Sequence, residues 1–182
     1  PSMPTRFIDR LEARLGDWAL PNLACLIVGL NAAIYILTLL KPEFPLALTL
    51  RPERVLQGEA WRLLTFLVIP PEMSPFWMFF WLYLLYMYAT QLEAEWGDFR
   101  FNLYYFVGAA AVSAVSMAMG VGLSNLTLNA TLFLAFAALY PDFELLLFFI
   151  LPVQVRWLAW LTWAAMILSF LGGGWAARWG LL

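Results

Sequence analysis

Residues 23–40 read LACLIVGLNAAIYILTLL, 18 residues with no charge and one strongly polar side chain, Asn31. A helix needs roughly 20 apolar residues, at about 1.5 Å of rise each, to cross about 30 Å of hydrocarbon. This run is therefore expected to be a membrane-spanning helix. Pro21 stands at its start, and Lys41-Pro42 stops it with a charge and a residue that cannot continue a helix. Asn31 is expected to face another helix, where its amide finds a hydrogen-bond partner that lipid cannot supply.

The rest of the chain shares this character. Of 182 residues, 64% are hydrophobic, 18% aromatic and 12% charged. Soluble domains carry about 25% charged residues, so lipid has to serve as solvent for part of this apolar surface. A net charge of −2 gives no basic field for nucleic acid. Cys25 is the one cysteine, so no disulfide can close within these residues, and no cysteine-based metal site can form. The sequence holds no histidine, which removes Ser-His and Cys-His nucleophile pairs and His-ligated metals from it. No metal or other cofactor is expected.

Before the first span, residues 3–18 place Phe7, Ile8, Leu11, Leu15 and Trp18 at helical spacing among charges. The pattern predicts an amphipathic helix lying at the membrane surface, or packed on a partner or on the chain's own loops. After it, residues 41–75 form a long proline-punctuated interlude whose Trp, Leu and Phe content suits partial immersion at the interface. Further spans are expected at about 76–91, 101–120, 126–140 and 157–171. The third is thin, with Gly108, Ser113, Ser116 and many alanines, and is placed in the middle of the bundle. The fourth, stopped by Pro141, gives only about 22 Å of helix, so it is expected to be central and short. Residues 143–154 read as a buried connector or re-entrant piece. Basic residues do not orient the chain: Arg6, Arg10, Arg14, Arg100 and Arg156 fall on one side, Lys41, Arg51, Arg54, Arg62 and Arg178 on the other.

Four stretches, in order, resemble the rhomboid superfamily of intramembrane proteases. GEAWRLLT (58–65) is similar to its G-x-x-W-R-L-x-T loop signature, through Gly58, Trp61 and Arg62. LEAEWG (92–97) resembles the L-E-x-x-x-G that closes the second span, through Glu93 and Gly97. LYYFVG (103–108) resembles the opening of the third, ending at Gly108. FFILPVQVRWL (148–158) is close to F-F-x-x-P-V-x-x-K/R-W-L, through Pro152 and Trp157. The resemblance covers residues 20–171 and implies an all-α polytopic membrane protein: a rhomboid-like bundle with a long interfacial first loop and a short central fourth helix.

The same resemblance locates what is missing. Family members cut peptides with a serine in G-x-S-G on the fourth helix and a histidine on a sixth span. Aligning LTLNATLF (126–133) on Phe133 puts Asn129 at the serine and Ala130 at the following glycine. Counting back from Pro141 instead puts Leu126 there, and neither register supplies a serine. The second-span H-x-x-x-N, aimed at the oxyanion, falls on Trp77 and Trp81. Losing one oxyanion donor costs about 10²–10³ in rate, and here the nucleophile is gone as well. The sixth span has no counterpart in residues 1–182. Thr127 and Thr131 offer hydroxyls without a visible base.

The resemblance thus implies a pseudoprotease, similar to the derlins, that binds transmembrane segments of client proteins in quality control or trafficking. Trp77, Trp81, Asn129 and Trp157 are its expected binding and gate residues. Its expected partners are membrane-protein clients, phospholipid and a soluble ATPase or protease. Short loops and no visible organelle signal favour a bacterial inner membrane. Two other readings stand beside it: a divergent protease with replaced chemistry, and a lipid-handling or structural subunit. Individual residues have simpler readings too. Arg62 binds a lipid phosphate or anchors the long loop; Glu93 titrates or accepts backbone hydrogen bonds. Asn125, Thr127 and Asn129 form a polar pocket, or Asn125 or Thr127 caps the helix. The stripe Trp77, Phe80, Trp81, Leu84 and Tyr88 reads as lipid-facing packing before it reads as a binding surface.

Overall fold

The computed structural model describes Asp9 and residues 11–14, 16–122, 124–147 and 151–179. These are mostly helical. The helices are α1 (Leu23–Leu40), α2 (Phe44–Leu48), α3 (Pro52–Leu56), α4 (Arg62–Thr65), α5 (Pro75–Trp96), α6 (Asp98–Met119), α7 (Asn125–Leu139) and α8 (Val155–Trp179). A short antiparallel hairpin, β1 (Glu144–Leu147) with β2 (Leu151–Gln154), precedes α8. The chain divides into two compact units, Pro1–Thr131 and Leu132–Leu182, with the boundary inside α7.

The five long or apolar helices fall on the stretches read as spans, with differences at their ends. By length and composition, α1 and α6 can each cross a membrane, and α7 is a shorter apolar helix. Helix α5 runs about one turn past Gln91, and the added turn carries Leu92 and Glu93 into the interior. Helix α8 continues through Gly172–Gly174 to Trp179, although each glycine costs a helix about 1 kcal/mol relative to alanine. Of the amphipathic helix expected over 3–18, Asp9 and residues 11–14 are helical and Gly16–Trp18 form a 3-10 turn. The other residues of that stretch lie outside the described ones. Asp9 and Glu12 pair with the Arg100 guanidinium at 2.8 and 3.1 Å.

In the first unit, α1 packs on α5 and α6, and α5 packs on α6. Helix α1 buries a single stripe, Leu23, Ala24, Ile27 and Asn31, and leaves Leu26, Leu30, Ile36, Leu37, Leu39 and Leu40 exposed. A helix that is apolar all round yet buried along one line presents lipid-like surface on its remaining faces. The packed face of α5 is Met78, Leu85, Tyr88, Ala89, Leu92 and Glu93.

The interlude at 41–75 is folded rather than structureless. Three of its six prolines start helices: Pro45 lies in the first turn of α2, while Pro52 and Pro75 open α3 and α5. There the missing N–H has no intrahelical partner to lose. Tyr35 ties the last part of the interlude back to α1 by donating its hydroxyl hydrogen to the Met73 carbonyl, 3.0 Å away.

Two glycines show why α6 and the loop after it are thin. A Cβ on Gly108 would lie 2.6 Å from the Leu128 Cδ1 methyl of α7. A Cβ on Gly122 would lie 2.7 Å from the carbonyl oxygen of buried Leu50. A methyl at the end of a side chain can turn aside, whereas backbone cannot. We therefore expect Gly122→Ala to destabilise the purified protein by about 1–3 kcal/mol, and Gly108→Ala by less. Thermal unfolding in detergent reads the order, and the reverse order would contradict this packing.

In the second unit the stretch 143–154, read as a buried connector or re-entrant piece, holds the extended β1 and β2, with Leu146 opposite Pro152; residues 148–150 lie outside the described ones. In a two-stranded sheet both strands are edges, so the N–H that proline lacks need not be missed. The Val155 N–H donates to the Phe143 carbonyl at 2.9 Å, joining the hairpin's base to the start of α8.

Candidate functional site

The first turn of α7 carries an unusual density of buried amides for an apolar helix. Asn125 is 1% exposed and Asn129, one turn on, is 4% exposed. The Asn125 amide nitrogen donates to the Asn31 side-chain oxygen at 3.1 Å and to the Leu67 carbonyl at 3.0 Å. Asn31, fully buried, donates in turn to the Ile27 carbonyl of its own helix at 2.8 Å. The interhelical hydrogen bond expected of Asn31 is therefore made, with Asn125 as partner. Asn125 and Asn129 are both buried at the start of α7, and the Asn125 nitrogen is spent on α1 and the interlude.

What remains unpaired is specific. The Asn125 side-chain oxygen, and both the oxygen and the nitrogen of the Asn129 amide, are buried without a hydrogen-bond partner. An unsatisfied buried polar atom costs about 1–3 kcal/mol, so three together mark a place where structure alone does not explain the residues. Thr131 differs: its hydroxyl donates to the Leu128 carbonyl at 2.7 Å and is committed to its own helix.

The other expected site residues are distributed. Trp77 is 47% exposed and meets Phe76 edge-on, with ring centroids 5.9 Å apart. Trp81 is half-buried. Of the stripe Trp77, Phe80, Trp81, Leu84 and Tyr88, only Tyr88 belongs to the packed face of α5. Trp157 belongs to the second unit, 61% exposed, with the Arg156 guanidinium 5.9 Å from its ring centroid. Arg156 also lies 3.6 Å from Asp142. In that unit a cavity of about 330 Å³ is bounded by Leu134 and Ala137 of α7 and by Ala159, Trp160 and Trp163 of α8.

The signature residues hold the scaffold. Arg62, 7% exposed, donates to the Leu46 and Thr49 carbonyls at 2.9 and 2.8 Å and to the Glu59 carboxylate. Thr65 adds a hydrogen bond to the Leu48 carbonyl at 3.0 Å. Of the two readings of Arg62, this geometry fits the loop anchor. Glu93 accepts from the backbone N–H groups of Leu23 and Ala24 at 2.7 and 3.3 Å, so it caps α1 from α5. Asn22, at the N-cap with φ 55°, makes no side-chain cap itself. Gly58 and Gly97 have φ values of 104° and 81°, conformations that disfavour any Cβ. Trp61 is exposed.

Sequence reasoning passed over Asn102. Its oxygen accepts from the Leu20 N–H and its nitrogen donates to the Leu20 carbonyl, both at 3.0 Å, clasping the chain just before α1. The signal was weak: Asn102 follows Asp98 and Arg100, whereas Asn31 stands alone in an uncharged run. A second feature without a sequence signal is a mostly apolar cavity of about 850 Å³. It lies between the C-terminal half of α1, the interlude and residues 122–126, with Tyr35, Phe66, Ile69, Glu72, Ser124 and Leu126 on its walls.

The chain matches no family model, no curated protein and no solved structure.

Proposed function

We propose that this protein is a catalytically inactive, rhomboid-like, multi-pass membrane protein of a bacterial inner membrane that holds transmembrane segments of client proteins. The observation that carries the reading is Asn129. In the register aligned on Phe133, where the resembling pattern has its serine, this chain has a buried amide with no partner, and the sequence holds no histidine to act as base. An amide is no nucleophile toward a peptide bond, but it binds polar groups in a medium of low dielectric. Support for the membrane setting comes from α1 and α6, both long and apolar enough to cross, and from the exposed apolar faces of α1. Support for the family comes from the four ordered motifs. Their residues Gly58, Arg62, Glu93, Gly97 and Gly108 all sit where backbone geometry, buried hydrogen bonds or close packing require them.

The test is a photo-crosslinking residue at position 129, irradiated in living cells, with adducts identified by mass. Adducts with other membrane proteins, altered in yield when Trp81→Ala widens the expected gate, are expected. Adducts with phospholipid alone would replace this reading with a lipid-handling one, for which the 850 Å³ cavity offers an apolar chamber.

A further inference from the structure

The three partnerless atoms at the start of α7 define a binding site by their hydrogen-bonding inventory. The orientation of the Asn125 amide is fixed, because both of its neighbours, the Asn31 oxygen and the Leu67 carbonyl, are acceptors and require its nitrogen. Its oxygen is thereby left over. Exchanging oxygen and nitrogen in Asn129 changes nothing, since neither has a partner. The site therefore offers two acceptor oxygens and one NH₂ donor. Four residues apart on a helix, the two side chains share a face, with Cβ atoms about 5–6 Å apart.

A complementary group must bring two donors and one acceptor. A carboxylate has acceptors only and would face two oxygens. An ammonium or guanidinium has no acceptor for the Asn129 nitrogen. A hydroxyl brings one donor to two acceptors. A trans peptide group holds its N–H and C=O on opposite sides, so it cannot address both atoms of one carboxamide. A primary carboxamide fits: the cis-related N–H and C=O of its edge pair with Asn129 through two parallel hydrogen bonds, and its second N–H reaches toward Asn125. Water carries the same count of donors and acceptors, so the experiment has to separate the two.

We propose that Asn129 and Asn125 form a carboxamide-reading site that selects client membrane segments bearing asparagine or glutamine. This rests on the client-binding reading above and adds to it what is recognised. Neither asparagine lines either cavity, and the open space nearest to them along the helix is reached at Leu126. Leu126, one turn before Asn129, lines the 850 Å³ cavity and is itself exposed.

The test uses the full chain in liposomes, with a donor dye on the exposed Cys25, the one cysteine available. Acceptor-labelled synthetic single-span peptides, identical except for a central Asn, Gln or Leu, are titrated as peptide-to-lipid ratio. Interhelical amide hydrogen bonds in bilayers are individually modest, so the Asn and Gln peptides are expected to half-saturate at a ratio about tenfold lower than the Leu peptide. Asn129→Leu is expected to abolish that preference while keeping the thermal midpoint of the parent or raising it, because no partner is stranded. Equal half-saturation of the Asn and Leu peptides on the parent protein would assign the site to water and overturn the proposal, leaving client binding intact. A preference that survives Asn129→Leu would overturn it too. If no peptide shows saturable transfer, the client reading fails, and this inference fails with it.

Discussion

Arg62→Ala is expected to destabilise the protein by about 2–4 kcal/mol, below the range for a fully buried ion pair because the Glu59 side chain keeps 24% of its surface exposed. The guanidinium is nearly enclosed and satisfies three acceptors at once: two carbonyls around α2 and the Glu59 carboxylate. Removing it strands Leu46 and Thr49 carbonyls inside the interlude, while Glu59 retains only a long contact of 3.7 Å to Arg54. Arg62→Lys is expected to lose roughly half as much, since one ammonium can keep the charge but cannot reproduce the planar fork. Unfolding of purified variants in mixed micelles, followed through tryptophan fluorescence, measures both. An alanine variant with an unchanged midpoint would show that the interlude is held by something else. A lipid-phosphate role for Arg62 predicts a different pattern, in which stability in detergent is unaffected and phospholipid binding is lost.

Glu93→Leu is the second large expectation, with a loss of about 2–4 kcal/mol. The first N–H groups of any helix lack intrahelical partners, and α1 receives its cap from a carboxylate 70 residues away. Leucine would bury two unsatisfied donors, each costing about 1–3 kcal/mol. Glu93→Gln should be milder, at about 1–2 kcal/mol. It keeps one acceptor but turns an NH₂ toward one of the donors and gives up the charge that favours a helix N-terminus. The same unfolding measurement applies, with hydrogen exchange at Leu23 and Ala24 as the local readout. Faster exchange confined to these residues is the expected signature. Unchanged exchange in both variants would remove Glu93 from the role.

The positions of the long helices were legible because apolar runs in this chain end in strong punctuation. Lys41-Pro42, Gly97, Gly120 and Pro141 stand at or within two residues of helix ends. The extra turn of α5 was hidden because Leu92-Glu93-Ala94-Glu95 reads as a water-facing finish. Only the three-dimensional fact that α1 begins beside it makes Glu93 an interior residue. The interlude's helices were hidden for the opposite reason. Six prolines argue for a loop, and the sequence does not announce that three of them, Pro45, Pro52 and Pro75, fall in first turns. The hairpin was hidden because a 12-residue apolar run has no period that separates a strand pair from a buried helix. At the candidate site, Asn129 was visible as a departure from a serine pattern, but its lack of a partner was not. Asn125 read as part of a polar pocket or as a helix cap, and neither reading pointed to the bond its nitrogen makes to Asn31 of α1. Asn102 was hidden because it follows Asp98 and Arg100, where one more polar residue draws no notice.

The Asn31–Asn125 pair also bears on how the chain is made. The two residues are 94 apart, and at about 5–20 residues per second the ribosome takes roughly 5–20 s to bring the second after the first. On the proposed membrane setting, α1 resides in lipid through that interval without its partner. The hydrogen bond from Asn31 to Ile27, inside its own helix, makes this tolerable, because the amide nitrogen is sheltered from the start and only an oxygen waits. The first helix is thus fit to enter the bilayer alone. The late arrival of Asn125 converts a lodged helix into a docked one.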